Sequence, residues 1–98
     1  MSASEAKLDR YFTYRVRHGL KGVTIKLAPT IAGVPDRLVI LPGGGIFLIE
    51  LKAWNGKVSE IQKQWHAMVA SLGVAVGILV GEDGVNVWVD LQKSRLAS

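Results

Sequence analysis

The stretch GVPDRLVILPGGGIFLIELKA, residues 33–53, contains two apolar segments joined by a Pro-Gly-Gly-Gly sequence. Residues 37–41 and 46–52 are apolar at nearly every position, which is typical of β-strands covered on both faces. Glycine adopts positive φ angles without strain, so the intervening residues suit a tight connection between strands. The stretch therefore predicts a buried β-hairpin.

A helix and a strand are predicted before this hairpin. Ser2 and Glu5 have the spacing of a capping box, and apolar residues follow at helical intervals. We therefore expect a helix over residues 3–18 that ends at Gly19. Apolar and polar residues then alternate over residues 23–27, as in a half-exposed strand.

The segment after the hairpin predicts a second helix, a further strand and a short C-terminal helix. Ser59 opens the second helix, whose apolar stripe is expected to face the core, and Gly73 ends it. Residues 74–80 form an apolar run typical of a buried strand. Residues 85–94 predict an amphipathic helix, although VNVWVD is also compatible with a strand. The apolar stripe consists of Ile61, Trp65, Met68 and Leu72.

The predicted order of elements is α-β-β-β-α-β, followed by the C-terminal helix. Because the fourth strand follows a helix, we expect it to pair parallel to a core strand through a right-handed crossover. The chain has 98 residues, which is the size of one domain. We therefore predict a single α/β domain over residues 1–98, with a mixed sheet flanked by helices. Such a small domain has a narrow margin of stability, so a homodimer that buries more apolar surface is also expected.

Composition limits the partners and the location of the chain. Twelve Lys and Arg residues stand against eight Asp and Glu residues, a formal charge of +4. Five of these basic residues lie from Lys7 to Lys21, opposed only by Asp9, which suits either a nucleic acid or a solvated helix face. Cysteine is absent, so disulfides and zinc–thiolate sites are excluded. With no bilayer-length apolar run and no secretory signal pattern, we expect a cytoplasmic location and no membrane association.

Asp36, Glu50 and Lys52 stand out as charged residues in the apolar hairpin. Glu50 and Lys52 are two positions apart on one strand, so their side chains leave the same face. In an antiparallel pair the numbers of opposed residues have a constant sum. A sum of 86 or 88 places Asp36 opposite Glu50 or Lys52, whereas 87 turns it to the other face. A functional trio therefore predicts an even sum, which requires a connection of odd length, such as Gly43-Gly44-Gly45, or a β-bulge.

Two carboxylates that meet at a strand end repel each other unless a cation lies between them. Mg²⁺ and Mn²⁺ prefer such oxygen ligands, lower the pKa of a bound water and offset charge on a phosphoryl oxygen. A nearby lysine orients the water or stabilises the phosphate. The pattern thus favours a metal-dependent phosphodiesterase; the alternative is a surface cluster in which Lys52 and Arg37 neutralise the two acids.

The motifs around these residues resemble the VRR-NUC family of the PD-(D/E)XK nuclease superfamily. The similar motifs are GVPDRL at 33–38, PGG at 42–44, ELKA at 50–53 and SEIQ at 59–62. The resemblance implies a restriction-endonuclease-like α-β-β-β-α-β core that cleaves DNA with Mg²⁺ or Mn²⁺, often in branched or flapped DNA. Members occur as stand-alone phage-type proteins, the form expected here, and as domains of larger DNA repair nucleases.

Residue by residue, the resemblance makes Asp36 and Glu50 metal ligands, with the backbone carbonyl of Leu51 as a third ligand. Lys52 would be the catalytic lysine. Glu5 would be a further metal ligand, although its alternative role is the capping box with Ser2. The basic residues expected to hold the DNA backbone are Lys7, Arg10, Arg15, Arg17, Lys21, Lys26 and Arg37.

Three further residues near this constellation have both a functional and a structural interpretation. Gln62 either contacts the scissile phosphate or a metal-bound water, or it completes a capping box with Ser59. His66 is within reach of DNA, but a solvated or half-buried histidine is the expected state. The tryptophans are expected in the core or at an interface; Trp54, in the turn beside the trio, is the one most suited to a DNA contact.

We therefore predict a metal-dependent DNA endonuclease that acts on branched DNA as a homodimer. One alternative is a catalytically silent DNA-binding module of the same fold, which would bind DNA in a salt-sensitive manner without cleaving it. Another is an interaction subunit whose apolar surface docks on a larger partner, which would bind DNA weakly.

Overall fold

The computed structural model describes residues 3–28 and 31–98 and contains the predicted order of helices and strands. A π-helical turn, Arg15–Gly19, continues the first helix and ends it at the predicted residue. The elements are α1 (Ala3–Tyr14), β1 (Val23–Lys26), β2 (Arg37–Ile40), β3 (Ile46–Lys52), α2 (Glu60–Ser71), β4 (Ala75–Val80) and α3 (Gly81–Ala97). The capping box predicted for α1 depends on Ser2, which lies outside the described residues.

The last helix is longer than the sequence predicts. It begins directly after β4, at Gly81, and extends to Ala97, so the strand interpretation of VNVWVD is wrong. The reason is the spacing of the buried residues on α3, which follows a helical rather than an alternating period. The buried residues are Val85, Trp88, Val89 and Gln92.

Among the described residues the strands form one mixed sheet, in the order β1-β2-β3-β4. The first three strands are antiparallel neighbours, and β4 pairs parallel to β3 after the chain has passed through α2. The predicted mixed α/β sheet is therefore confirmed. No helix within 3–28 or 31–98 has the length and apolar character needed to cross a membrane.

The β2–β3 hairpin has the even register on which the site depends. Arg37 pairs with Ile49, so the numbers of opposed residues sum to 86. Continuing this register by one position places Asp36 opposite Glu50, on the face that also carries Lys52. The register prediction is therefore confirmed.

The loop that sets this register is three residues long. The N–H of Leu41 donates to the carbonyl of Gly45 at 2.8 Å, which extends the ladder by one pair and leaves Pro42, Gly43 and Gly44 in the loop. Both glycines have positive φ, 87° and 89°, which other residues adopt only with strain. The loop has the predicted odd length but lies one residue earlier than the Gly43-Gly44-Gly45 example.

The two faces of the sheet are covered to different extents. α1 and α3 bury one face in a core centred on side chains such as Phe12 and Ile49, both 0% exposed. α2 packs against β4 on the opposite face. Ile40 and Ile46 on that face remain 38% and 55% exposed, so the expectation that the hairpin is covered on both faces is wrong there. A single helix of 12 residues is too short and narrow to cover four strands.

The side of α2 that faces the sheet also differs from the expectation. His66 and Val69 are its buried residues, whereas Ile61, Met68 and Leu72 of the predicted apolar stripe are exposed. The helix is rotated so that Gln62, one turn before His66, lines a cavity at the polar end of β3. The inward side of α2 is therefore the one that carries Gln62, His66 and Val69 rather than the predicted apolar stripe.

Candidate active site

A cavity of about 200 Å³ lies at the carboxyl end of β3, bounded by α1 and α2. It brings together every residue that the sequence motifs predict for metal binding or catalysis, and it adds one acid that sequence reasoning missed, Asp9. The lining residues are Glu5, Asp9, Asp36, Glu50, Leu51, Lys52 and Gln62. We call this space the active-site cavity.

Asp36 is held by the backbone of β3. The N–H of Leu51 donates to Asp36 Oδ2 at 3.2 Å, so the carboxylate is fixed over the strand that carries Glu50. This hydrogen bond orients one oxygen of Asp36 without burying the residue completely. The hairpin register and this bond together place the two carboxylates side by side.

Glu50 is a buried carboxylate with little compensation. It is 3% exposed, its Oε2 lies 3.7 Å from Lys52 Nζ, and its buried Oε1 has no hydrogen-bond partner among the described residues. Burial, followed by the neighbouring Asp36, raises the pKa of the Glu50 carboxyl to about 7, although Lys52 acts in the opposite direction. An ionised Glu50 in this place is therefore costly unless a cation joins it.

The donor atoms of the cavity fit a hard divalent cation. An unpartnered carboxylate oxygen beside a second carboxylate is the type of ligand that Mg²⁺ and Mn²⁺ prefer. Within the described ranges, no group of three or more His, Cys, Asp and Glu side chains is close enough to hold a metal ion. Glu5 lines the cavity but does not complete such a group, so water, a backbone carbonyl or a phosphate oxygen would fill the remaining positions.

Gln62 forms the predicted capping box. Its Oε1 accepts from the N–H of Ser59 at 2.9 Å, and its own N–H donates to Ser59 Oγ at 3.2 Å. Both bonds fix the first turn of α2, which explains why Gln62 is turned toward β3. The amide NH₂ group takes no part in the capping box, so Gln62 can serve the cap and still present a donor to the cavity.

Lys52 and His66 form the boundary between the cavity and α2. The Lys52 side chain is 18% exposed, so its stem is buried while its ammonium group faces Glu50. His66 is buried, contrary to the solvated or half-buried state expected for it, and neither ring nitrogen has a partner within the part of the chain described. Burial and then the charge of Lys52 lower the pKa of His66. His66 is thus a neutral ring beneath the site rather than a DNA contact.

A buried ion-pair network lies on the other side of the sheet. Asp9 is 6% exposed, pairs with Arg37, and accepts a second contact from Lys26 Nζ at 3.4 Å. Arg37 also donates to Thr24 Oγ1 at 3.4 Å. This network ties α1 to β1 and β2 directly beside Asp36.

A sequence signal for this network exists. Arg37 follows Asp36, so an Asp36 that faces Glu50 requires an Arg37 that faces α1. Lys26 pairs with Arg37 in the sheet and therefore shares that face. Two cations there need an acid, and Asp9 is the one acidic residue within the basic 7–21 segment.

Four of the seven basic residues predicted to hold DNA line one groove of about 570 Å³. These residues are Arg10, Arg17, Lys26 and Arg37. The groove shares Asp9 with the active-site cavity, so the two spaces adjoin. We call it the basic groove.

The other three predicted DNA contacts lie elsewhere. Arg15 faces α3, where its Nη2 is 3.7 Å from Asp90 Oδ1. Lys7 lies beside Trp54 at a smaller cavity on the opposite side of the active site, and Trp54 is 82% exposed. Lys21 lies at a separate surface near the hairpin loop. The structure therefore groups the first four basic residues and separates these three.

Comparisons with known proteins give two relatives. "Putative nuclease p44" of Acyrthosiphon pisum secondary endosymbiont phage 1 is 36% identical over 80 residues, which are 81% of this chain and 85% of the phage protein. A solved structure described as "VRR_NUC domain" superimposes with a TM-score of 0.82 at 28% identity, covering 91% of this chain and 97% of the other. No family model matches the chain. The sequence match therefore spans most of the phage protein, and the structural match spans nearly all of the solved domain.

Proposed function

This chain belongs to the VRR-NUC family of the PD-(D/E)XK nuclease superfamily, and we propose that it is a metal-dependent DNA endonuclease that hydrolyses phosphodiester bonds in branched DNA. Its restriction-endonuclease-like core matches that of its structural relative. The observation that carries the proposed chemistry is the convergence of Asp36, Glu50 and Lys52 on one face of the hairpin, beside a cavity. A structural role alone does not require an acid, a second acid and a lysine at this point.

Asp36 and Glu50 would hold the metal, with the backbone carbonyl of Leu51 as a further ligand. The unpartnered Glu50 Oε1 and the raised pKa of its carboxyl support this assignment, because a cation offsets both the burial and the charge of Asp36. A bound Mg²⁺ or Mn²⁺ ion supplies Lewis-acid chemistry, which lowers the pKa of a coordinated water and neutralises phosphoryl charge.

Lys52 is proposed as the catalytic lysine. Its ammonium group lies beside Glu50 and has a partly buried stem, so it is already oriented in the free protein. A charge held in place within a partly water-excluded site stabilises a developing phosphoryl charge at little reorganisation cost. Lys52 therefore orients the attacking water or stabilises the pentacovalent phosphate.

Glu5 and Gln62 have supporting roles in this proposal. Glu5 lines the cavity from α1 and would add a carboxylate to a second ion or to an outer water. Gln62 would direct its amide NH₂ group to the scissile phosphate while its oxygen keeps the cap of α2. Both residues thus contribute through groups that the fold has already placed.

The basic groove is proposed to hold the DNA backbone. Arg10, Arg17 and Lys26 present cations beside the cavity. Arg37 is buried and paired with Asp9, so it would add positive charge to the groove without being exposed. Lys7, Arg15 and Lys21 lie outside the groove and would contact more distant phosphates of a larger substrate. Because phosphate contacts release counterions, affinity should fall steeply as salt rises.

α2 leaves part of the apolar face of the sheet exposed. A homodimer would cover this surface and would present two active sites to one DNA junction. The exposed residues Val23, Ile25, Ile40 and Ile46 lie on the same face of three neighbouring strands. A second copy is the proposed occupant because a two-fold pair of nuclease sites suits two strands of a branch point. Sedimentation should show a dimer, and Ile46→Lys should convert it to a monomer, whereas a monomeric parent chain would exclude this assembly.

Cleavage of labelled branched and linear DNA tests the activity. We expect cleavage with Mg²⁺ or Mn²⁺, none with EDTA, and loss on the order of 10²-fold or more in Lys52→Ala. Lys57→Ala removes an exposed lysine from the adjoining turn and should retain the parent activity. Cleavage that survives EDTA, or that persists in both Asp36→Asn and Lys52→Ala, would exclude the metal mechanism. Salt-sensitive binding without cleavage would identify a silent DNA-binding module instead.

A further inference from the structure

The basic groove contains two aromatic rings that the nuclease chemistry does not use. Tyr14 and His18 line the groove together with Arg10, Arg17 and Lys26. Their ring centroids are 4.6 Å apart, with 35° between the ring planes. Tyr14 is 59% exposed, so the pair forms a surface platform rather than part of the core.

The helix is deformed where this platform forms. α1 ends at Tyr14, and the π-helical turn begins with the next residue and contains His18. π-Helical turns are uncommon and occur frequently at functional sites. Here the turn starts directly after Tyr14 and carries the second ring, and Val16 within it stays buried while Arg17 and His18 face outward.

The charge of the groove suits a phosphate chain beside these rings. Its lining carries four cationic side chains against one carboxylate, Asp9, which is already paired with Arg37 and Lys26. The Arg37 side chain is 11% exposed, and its Nε has no hydrogen-bond partner among the residues that the structure describes. The groove therefore retains positive potential after its own acid has been neutralised.

We propose that the basic groove is a subsite for an unpaired stretch of DNA, with a base stacked on Tyr14 and the flanking phosphates on Arg10 and Arg17. Proteins that bind single strands combine a cationic groove with exposed aromatic rings, because an unpaired base exposes its flat face for stacking on a side chain. Duplex DNA cannot offer that face. The groove shares Asp9 with the active-site cavity, so the unpaired segment lies next to the phosphate that is cut.

This inference rests on the proposed nuclease function. It identifies an unpaired segment of DNA as the substrate feature that the groove recognises. The unpaired segment would discriminate branched or gapped DNA from an intact duplex. Tyr14 and His18 are then binding residues outside the trio, and Tyr14 supplies the larger stacking surface.

The test measures binding and cleavage separately. Binding of a short fluorescein-labelled oligothymidylate is followed by anisotropy in EDTA, where no cleavage occurs, alongside a blunt duplex of equal charge. Tyr14→Ala should weaken single-strand binding on the order of 10-fold and leave duplex binding unchanged, because base stacking contributes about 1–3 kcal/mol. Tyr14→Phe keeps the ring and should bind as the parent does. Leu72→Ala removes a side chain that is 76% exposed outside the groove and should change neither affinity.

Cleavage in Mg²⁺ completes the test. Tyr14→Ala should reduce cutting of DNA with a single-stranded arm by about the same factor and leave any cutting of intact duplex unchanged. The inference is overturned if Tyr14→Ala binds the oligothymidylate as tightly as Tyr14→Phe does, or if it weakens duplex binding equally. Absence of metal-dependent cleavage with intact Tyr14-dependent binding would refute the nuclease proposal but not the subsite. Thermal melts of each variant ensure that only folded protein is compared.

Discussion

Asp9 and Glu50 are two buried carboxylates on opposite sides of the same sheet, and their partners differ. Asp9 is 6% exposed and is paired with both Arg37 and Lys26. Glu50 is 3% exposed, has one lysine at 3.7 Å, and retains an unpartnered oxygen among the described residues. Burial of an ion is tolerated when its partners are complete and is costly when they are not.

The difference is the one expected between a structural carboxylate and the metal ligand proposed at Glu50. The fold supplies Asp9 with cations from two strands, whereas it brings Glu50 a second acid, Asp36. Buried like charges with incomplete compensation are common where proteins bind metals or perform catalysis. Neutralising Glu50 is therefore expected to reduce activity without reducing stability, whereas neutralising Asp9 is expected to reduce stability.

The largest expected effect is loss of activity in Glu50→Gln. Gln retains the shape of the side chain but removes the charge that would hold the metal, so cleavage should fall on the order of 10³-fold. The free energy of unfolding should not fall, because the uncompensated charge is removed. Single-turnover cleavage and urea denaturation measure the two quantities. Glu60→Gln changes an exposed glutamate and should alter neither; a Glu50→Gln protein that cleaves normally would contradict the assignment.

Asp9→Asn should produce the opposite result, a large loss of stability. Removal of this charge leaves Arg37 buried without its counterion, which should lower the free energy of unfolding by about 3 kcal/mol. Asp90→Asn is the matched control, because Asp90 is exposed and pairs with Arg15 at the surface; it should cost less than about 0.5 kcal/mol. Equal losses of unfolding free energy in Asp9→Asn and Asp90→Asn, measured by urea denaturation, would show that the buried ion pairs of Asp9 stabilise the fold no more than a surface pair does.

The dependence of stability on pH, measured in EDTA, should isolate Glu50. Its folded pKa is raised from 4.5 to about 7, so the folded state binds the proton more tightly than the unfolded state does. The stabilising contribution is complete below about pH 4.5 and is lost as pH rises to about 7, a change on the order of 3 kcal/mol. His66, whose pKa is lowered by burial, contributes a slope of opposite sign. We therefore compare the parent with Glu50→Gln, which should be equally stable near pH 4.5 and more stable at pH 8; parallel curves would refute this account.

The arrangement of Asp36 beside Glu50 could be predicted from residues that lie close together in the sequence. The sequence left the length of the loop open, and the even register was predicted because a functional trio requires it; the loop Pro42-Gly43-Gly44 and the strict alternation of a strand then place Asp36 opposite Glu50. The linked motifs around the hairpin similarly predicted the family. These features depend on residues that are close in sequence.

The ion-pair network around Asp9 and the packing of the helices depend on contacts between segments that are distant in the sequence. Asp9 meets Arg37 across 28 positions, and the side chain of Arg15 turns to α3 instead of the groove. The inward face of α2 carries His66 and Val69 rather than the predicted apolar stripe. Spacing within one helix cannot reveal which side meets the sheet when both sides contain apolar residues.

The smallest predicted effect is a metal-linked gain in stability that depends on Glu50. Binding of Mg²⁺ to the folded chain alone raises the free energy of unfolding by about 1.4 kcal/mol when the free ion is at ten times its Kd. The gain should be greater at pH 8 than at pH 5.5, because protonated Glu50 does not bind a cation. Thermal melts with MgCl₂, against NaCl of equal ionic strength, measure it. The gain should vanish in Glu50→Gln and Asp36→Asn but persist in Glu60→Gln. A gain that persists in Glu50→Gln would place the cation away from this carboxylate, and the contrast with Asp9 would then require another explanation.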